Sequence, residues 1–222
     1  MNMDLIPEIL YEDKHIVICV KPSGYLSEPA DGKGFPDLLS NYLGVQISTV
    51  HRLDKIVGGV MVFAKTKIAA SKLTQMVANH EVQKEYLAIL RGVPAEASAT
   101  LEDLLFRDSS KNKTYVVKRM RKGVRKASLD YTLLGVQNEK SLVRVHLHTG
   151  RTHQIRVQFA SRKLPLLGDI RYGSKDPNCE AALWSWRLCF AHPITGKIID
   201  IKKLPPMEYP WQQFEENMPS AE

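Results

Sequence analysis

SLVRVHLHTGRTHQIRVQFAS, residues Ser141–Ser161, changes its periodicity halfway. In the first half Leu142, Arg144, His146 and His148 alternate with Val143, Val145 and Leu147. A period of two belongs to a strand whose successive side chains point to opposite faces. Thr149 to Thr152 then supplies a tight turn, and the pattern predicts a helix over Thr152–Ser161. Upstream, Thr114–Lys118 and Ser128–Val136 are two more strand candidates with turn residues between them. Neighbouring strands that run into a helix point to an α+β fold with a mixed, largely antiparallel sheet flanked by helices and loops.

The rest of the chain agrees with this class. Ile16–Val20 and Val60–Ala64 are short apolar runs rich in β-branched residues, as expected of buried strands, and the first stops at Lys21-Pro22-Ser23-Gly24. Ser27 to Pro36 predicts a loop, with Asp37 capping a helix that ends at Gly44. Between Lys67 and Asn79 the residues Ile68, Ala69, Leu73, Met76 and Val77 share one helical face. Tyr86–Leu90 is strand-like, Pro94–Ala99 is expected as a loop, and Trp184–Ala191 with Lys197–Ile201 predicts a hairpin. A short helix is expected over Pro210–Glu216. No repeat, low-complexity run or long linker interrupts the chain, so residues 1–222 are expected to form one domain.

Composition excludes several classes. Hydrophobic content of 44% and charged content of 25% suit a globular protein, and no apolar run approaches the roughly 18 residues of a membrane span. The N-terminus is acidic, unlike a signal peptide, so a cytoplasmic location is expected. Cys19, Cys179 and Cys189 are scattered, without the spacing of a disulfide framework or a thiolate zinc site. The net charge of +7 is concentrated: nine Lys or Arg residues lie between Arg107 and Lys126, against the single acid Asp108. Charge alone reads equally as a grip on phosphates or as a solvated surface hairpin.

Two clusters carry reactive side chains. His51-Arg52-Leu53-Asp54 precedes a buried strand, where a carboxylate can act as nucleophile or base and an arginine can meet phosphate. Alone, the string reads as readily as an Arg–Asp surface pair. The second cluster, His148 to Arg156, runs from a strand end through Gly150 into a helix N-terminus, a natural anion site. Arg151, His153 and Arg156 add side-chain donors there, unless the run is simply a capped helix with solvent-facing bases.

Taken together and in order, these strings resemble the RluA-type branch of the pseudouridine synthases. His51-Arg52-Leu53-Asp54, Gly59 to Lys65, Lys84-Glu85-Tyr86, Thr149 to Val157, Leu167-Gly168-Asp169 with Tyr172-Gly173, and Arg187-Leu188 with His192-Pro193 and Thr195-Gly196 carry the resemblance, which spans about Ile9 to Pro205. It implies the pseudouridine synthase fold and isomerisation of uridine in tRNA or rRNA by base flipping, with no cofactor and no metal. It implies Asp54 as the catalytic carboxylate, Tyr86 as the residue packing against the flipped base, and Arg156 as the base paired with Asp54. It further implies that Arg52 displaces the target base. His51, Arg151, Thr152, His153, Lys118, Arg119 and Arg121 are expected to face RNA. The sequence departs from the family at one place. Two residues after Arg-Leu-Asp the family usually has Thr-Ser-Gly, where this chain has Val57-Gly58-Gly59.

Two other classes compete. A metal-dependent hydrolase would draw on His51, His146, His148, His153 and Asp169, although no H-E-x-x-H spacing occurs. A non-catalytic RNA-binding module would use the basic block equally well, but gains nothing from a carboxylate beside phosphates. The expected partner is a structured RNA stem-loop selected by the domain itself, bound by a monomer and away from membranes.

Overall fold

The computed structural model describes residues 5–220. In chain order the strands are β1 (Glu8–Glu12), β2 (Ile16–Lys21), β3 (Ser48–Thr49), β4 (Gly58–Ala64), β5 (Gln83–Arg91), β6 (Ser98–Asp108), β7 (Lys113–Val117), β8 (Val124–Gln137), β9 (Lys140–Leu147), β10 (Leu183–Ala191) and β11 (Ile198–Lys202). The helices are α1 (Phe35–Leu43), α2 (Lys67–Ala78) and α3 (Gln154–Ser161), with short 3₁₀ segments at Ile170–Tyr172 and Trp211–Asn217. The α+β class holds. The described residues fall into two compact units: one holds the chain up to Lys84 plus Trp184–Pro205, the other Glu85–Leu183 plus Pro206–Ser220. No described helix is long and apolar enough to cross a membrane.

In the first unit the strand order is β1-β2-β4-β10, with β11 against β10 and β3 against β4. The sheet is mixed, because β10 runs parallel to β4 with Trp184 opposite Gly58, while β2 and β4 are antiparallel. Every residue of β2 and of β4 is buried, which is why both read as continuous apolar runs rather than alternating ones. Ile16, Ile18, Val60 and Val62 pack with Ala69 and Leu73 of α2 and with Leu188 and Phe190 of β10. Helix α2 starts where its sequence predicts, with the Thr66 hydroxyl accepting from the Ala69 N–H. Helix α1 starts earlier than expected, at Phe35. Asp37 is not its cap but lies inside the first turn, where its carboxylate accepts from the N–H groups of Gly34 and Ala30, each at 2.9 Å. Pro36 costs nothing there, since first-turn N–H groups have no intrahelical acceptor.

In the second unit the order is β5-β9-β8-β6-β7, antiparallel throughout. The expected loop at Pro94–Ala99 is overtaken by β6, which begins at Ser98 and was not legible in the sequence. Only Leu101 and Leu105 of β6 are buried, and Glu102-Asp103 between them breaks any period of two. Its partners are supplied from far along the chain. Gln158 of α3 donates to the Leu101 carbonyl at 3.0 Å and to the Asp103 carboxylate at 2.8 Å, and Arg162 donates to Asp103 at 2.8 Å. The basic block from Arg107 to Lys126 spans the end of β6, all of β7 and the start of β8.

Helix α3 begins at Gln154, two residues later than predicted, and Thr152 stays in the turn. The Gln154 amide occupies that turn: its oxygen accepts from the Thr149 hydroxyl (2.7 Å) and the Arg151 N–H (3.0 Å), and its nitrogen donates to the Ser128 carbonyl (3.1 Å). His153 is left-handed, with φ of 55°, so the chain turns into the helix only after it. Residues Gln154 through Phe159 are all buried. The alternative of a helix with solvent-facing bases therefore holds for Arg151, which is exposed, and not for Arg156, which is 3% exposed.

Candidate active site

Asp54 sits on a loop whose backbone is held almost atom by atom. The Ser27 hydroxyl donates to the Leu53 carbonyl (2.7 Å) and accepts from the Leu53 N–H (3.0 Å). Ser23 donates to the Ile56 carbonyl at 2.7 Å, and the Gly24 N–H donates to the Lys55 carbonyl at 2.8 Å. The Val57 N–H closes a turn on the Asp54 carbonyl at 2.9 Å. Lys21 is fully buried, and its ammonium donates to the carbonyls of Pro22 (2.7 Å), Tyr25 (2.9 Å) and Lys55 (3.3 Å). A buried cation is tolerated because each of its protons has an acceptor. Sequence reading missed Lys21 as a functional support, since lysine is among the residues least often buried. The Asp54 side chain is half-buried at the apex of this loop. Arg52, beside it, is 52% exposed and reaches both oxygens of Glu28 at 3.1 Å.

His51 was expected to face RNA; the structure corrects this. It is 7% exposed, and its Nε2 accepts from the Val62 N–H of β4 at 3.2 Å. Nε2 is thus unprotonated and the ring proton sits on Nδ1. Burial, with the nearby Lys84 charge, pushes its pKa down to about 3. A folded-state value below the ordinary 6.5 gives a definite sign. The unfolded chain takes up a proton as pH falls below 6.5 and the folded one does not, so stability declines from about 6.5 towards 3. The expected decline approaches about 1.4 kcal/mol per pH unit. His51→Gln should flatten that slope in urea unfolding measured from pH 7 to 4; an unchanged slope would refute the neutral, buried assignment.

The departure at Val57-Gly58-Gly59 has a physical counterpart. A Cβ on Gly58 would lie 2.5 Å from the Trp184 ring, and one on Gly59 would lie 2.2 Å from the Ser185 carbonyl oxygen. Trp184 fills the space a side chain at position 58 would need, and its indole N–H donates to the Lys203 carbonyl at 2.8 Å.

In the second unit, Tyr86 lies on β5 opposite Val145 of β9 and is 6% exposed. Arg156 makes a two-pronged ion pair with Asp169, at 2.7 Å through Nε and 2.9 Å through Nη2; the two side chains are 3% and 1% exposed. Asp169 was visible in the sequence as part of a motif and as a candidate metal ligand, whereas its partnership with a residue 13 positions earlier was not. The Arg156 guanidinium also lies over the Tyr172 ring, 5.1 Å from its centre. His153 reaches the Tyr172 hydroxyl at 2.9 Å, the Thr152 carbonyl accepts from the Thr114 hydroxyl at 2.9 Å, and Arg151 donates to the Lys126 carbonyl at 3.0 Å. Lys118, Arg119 and Arg121 are exposed, and Arg121 packs over the Phe106 ring.

The five residues weighed as metal ligands serve separate local contacts. His51 is tied to Val62, Asp169 to Arg156, His153 to Tyr172 and His148 to Asp130 (2.7 Å), with His146 stacked edge-on against His148. Among the described residues no three His, Cys, Asp or Glu side chains form a group that could hold a metal ion.

Comparison with known proteins adds the family. A family model described as RNA pseudouridylate synthase matches residues 15–161. An uncharacterized RNA pseudouridine synthase of Aquifex aeolicus is 31% identical over 98% of this chain and 77% of its own length. The ribosomal large subunit pseudouridine synthase D of Zymomonas mobilis is 33% identical over 89% of this chain and 68% of its own. Among solved structures, human RNA pseudouridylate synthase domain containing 4 superposes with a TM-score of 0.74 at 24% identity, covering 90% of this chain and 89% of that one, which speaks for the fold. With the family model covering the Asp54 loop and α3, and relatives above 30% identity along most of the chain, this protein belongs to the RluA-type RNA pseudouridylate synthases, isomerases that modify RNA.

Proposed function

We propose that Asp54 is the catalytic carboxylate of this isomerase, with Tyr86 and Arg156 as its companions. The observation that carries the reading is the restraint on the Asp54 loop. Six backbone groups between Leu53 and Val57 are engaged by hydrogen bonds that do not involve the side chain at 54. Such preorganisation is what a reaction dependent on one oxygen atom requires. In the reaction the N1–C1′ bond breaks, the base turns, and C5 bonds to C1′. The C5 proton leaves and N1 takes one up, so no redox partner is consumed. Asp54 either attacks C1′ or removes a sugar proton. Arg156 serves as the basic companion of the reaction, and Tyr86, held in a strand, offers a pre-ordered ring to the flipped base. Unstacking the uridine costs a few kcal/mol, of which stacking on Tyr86 returns about 1–3. Arg52, exposed at the loop apex, fills the vacated place in the stack.

The substrate class follows from charge and kinship. Lys118, Arg119 and Arg121 stand exposed on the basic block beside Arg151, a surface suited to phosphates. Thr152 and His153 lie in the turn that joins this surface to α3. Several relatives are named for the large ribosomal subunit, and we assign a structured ribosomal RNA as the first substrate to test, with tRNA as the alternative. The monomer is the working form in this reading. The test is transcriptome-wide mapping of pseudouridine in cells with and without the gene. Loss of modification at one or a few uridines in structured rRNA is expected. Loss confined to tRNA would move the substrate; loss nowhere would overturn the assignment of an RNA target in that cell.

A further inference from the structure

Among the described residues strand β7 ends the sheet of the second unit, so one edge of it has no neighbouring strand there. Alternate residues of an edge strand direct their N–H and C=O outward, and buried ones need a substitute partner. Thr114, 2% exposed, finds both in one side chain: its N–H donates to the Tyr172 hydroxyl at 2.9 Å, and its carbonyl accepts from that hydroxyl at 3.2 Å. His153 Nδ1 lies 2.9 Å from the same oxygen. A phenol has one proton and two lone pairs. The Thr114 N–H takes one lone pair; the proton goes to the Thr114 carbonyl or to His153, according to the tautomer of His153. Burial raises the Tyr172 pKa, so the phenol stays neutral and acts as a latch rather than a base.

The ring of Tyr172 has a second task. The Arg156 guanidinium lies 5.1 Å from its centre and the Lys113 ammonium of β7 lies 5.2 Å from it. The negative faces of an aromatic ring attract both. Tyr172 closes a short turn that opens at Asp169, its N–H donating to the Asp169 carbonyl at 3.1 Å. That turn therefore supplies Arg156 with a carboxylate and a ring. It also holds the tip of the β6–β7 hairpin, because Arg171 donates to the carbonyls of Lys111 (3.3 Å) and Asn112 (3.1 Å).

We propose that Tyr172 is a positioning residue for the isomerisation: its ring orients Arg156, while its hydroxyl latches β7, the strand that leads into the basic block. RNA gripped by the block and the arginine beside the reaction then share one rigid support. This rests on the role assigned to Arg156 above.

The two tasks separate by substitution. Tyr172→Phe keeps the ring and removes the latch; Tyr172→Met removes both at similar length. Each is compared with the unaltered protein on an unmodified transcript carrying the uridine found by mapping, with RNA affinity and single-turnover rate at saturating RNA measured separately. Hydrogen exchange reports on the Thr114 amide. For Tyr172→Phe we expect the Thr114 amide to lose protection, affinity to fall by roughly tenfold, and the saturated rate to stay within about twofold. For Tyr172→Met the saturated rate should fall a further tenfold or so, and excess RNA should not restore it. Should the Met variant fail to fold, pentafluorophenylalanine at 172 keeps the shape and reverses the charge of the ring face, and should lower the saturated rate in the same way. Equal saturated rates for ring-bearing and ring-altered variants would overturn the orienting role, and unchanged Thr114 exchange in Tyr172→Phe would overturn the latch. An Asp54→Asn control separates the ideas: turnover there sinks the catalytic assignment, whereas an inactive control beside unaffected Tyr172 variants sinks only this proposal.

Discussion

Asp54→Asn should reduce pseudouridine formation by a factor on the order of 10³ or more while leaving the fold and RNA binding in place. The amide has the size of the carboxylate but can neither attack C1′ nor accept a sugar proton. The substitution should be quiet structurally for a reason visible in the loop. Ser27, Ser23, Gly24 and Lys21 hold the backbone of residues 53–56, and those bonds persist when the side chain changes. Single-turnover assays, RNA affinity and thermal unfolding of the variant test the three parts separately. Appreciable turnover by a sequence-verified variant would remove Asp54 from the centre of the chemistry. A collapse in thermal stability would instead show that the carboxylate serves the loop.

The second large effect is expected at Asp169. Asp169→Asn takes the charge of one carboxylate away from the buried Arg156 guanidinium, and breaking a buried pair in this way costs about 3–5 kcal/mol. Unfolding in urea should move to markedly lower concentration, and activity should fall with it. The loss of activity would then be ambiguous, since a poorly folded enzyme is also slow. The double variant Arg156→Met with Asp169→Leu resolves this. Replacing both members of a buried pair by apolar groups of similar size is often neutral or stabilising. The double variant should therefore recover most of the stability lost by Asp169→Asn and none of the activity. Recovery of both would reduce Arg156 to a fold residue; recovery of neither would mean that the pair anchors more of the unit than its two side chains.

Much of this molecule was written locally. Residues Ile16–Val20, Val60–Ala64 and Ser141–Leu147 declare strands through runs or alternations confined to a few positions, and Ile68, Ala69, Leu73, Met76 and Val77 declare α2 by sharing one face. The order of short motifs along the chain also identified the family before any coordinate was known, because such motifs specify backbone turns and reactive groups without reference to distant residues. What failed was whatever depends on a partner far along the chain. Strand β6 has two buried leucines and is completed by Gln158, whose nearest hydrogen-bond acceptor in it lies 55 positions away. His51 was read as a residue that faces RNA, and nothing near Arg156 in the chain told whether it is enclosed, since His and Arg are usually solvated. Burial is a property of the packed whole, and here the Val62 N–H, the Asp169 carboxylate and the Tyr172 ring supply the compensation that makes it tolerable. The sequence by itself determined most of the elements, the class and the family, because periodicity and turn chemistry act over a handful of residues. Only the tertiary structure decided which polar side chains are enclosed, since the free energy of a buried charge or imidazole is set by the atoms that surround it, and those come from other parts of the chain.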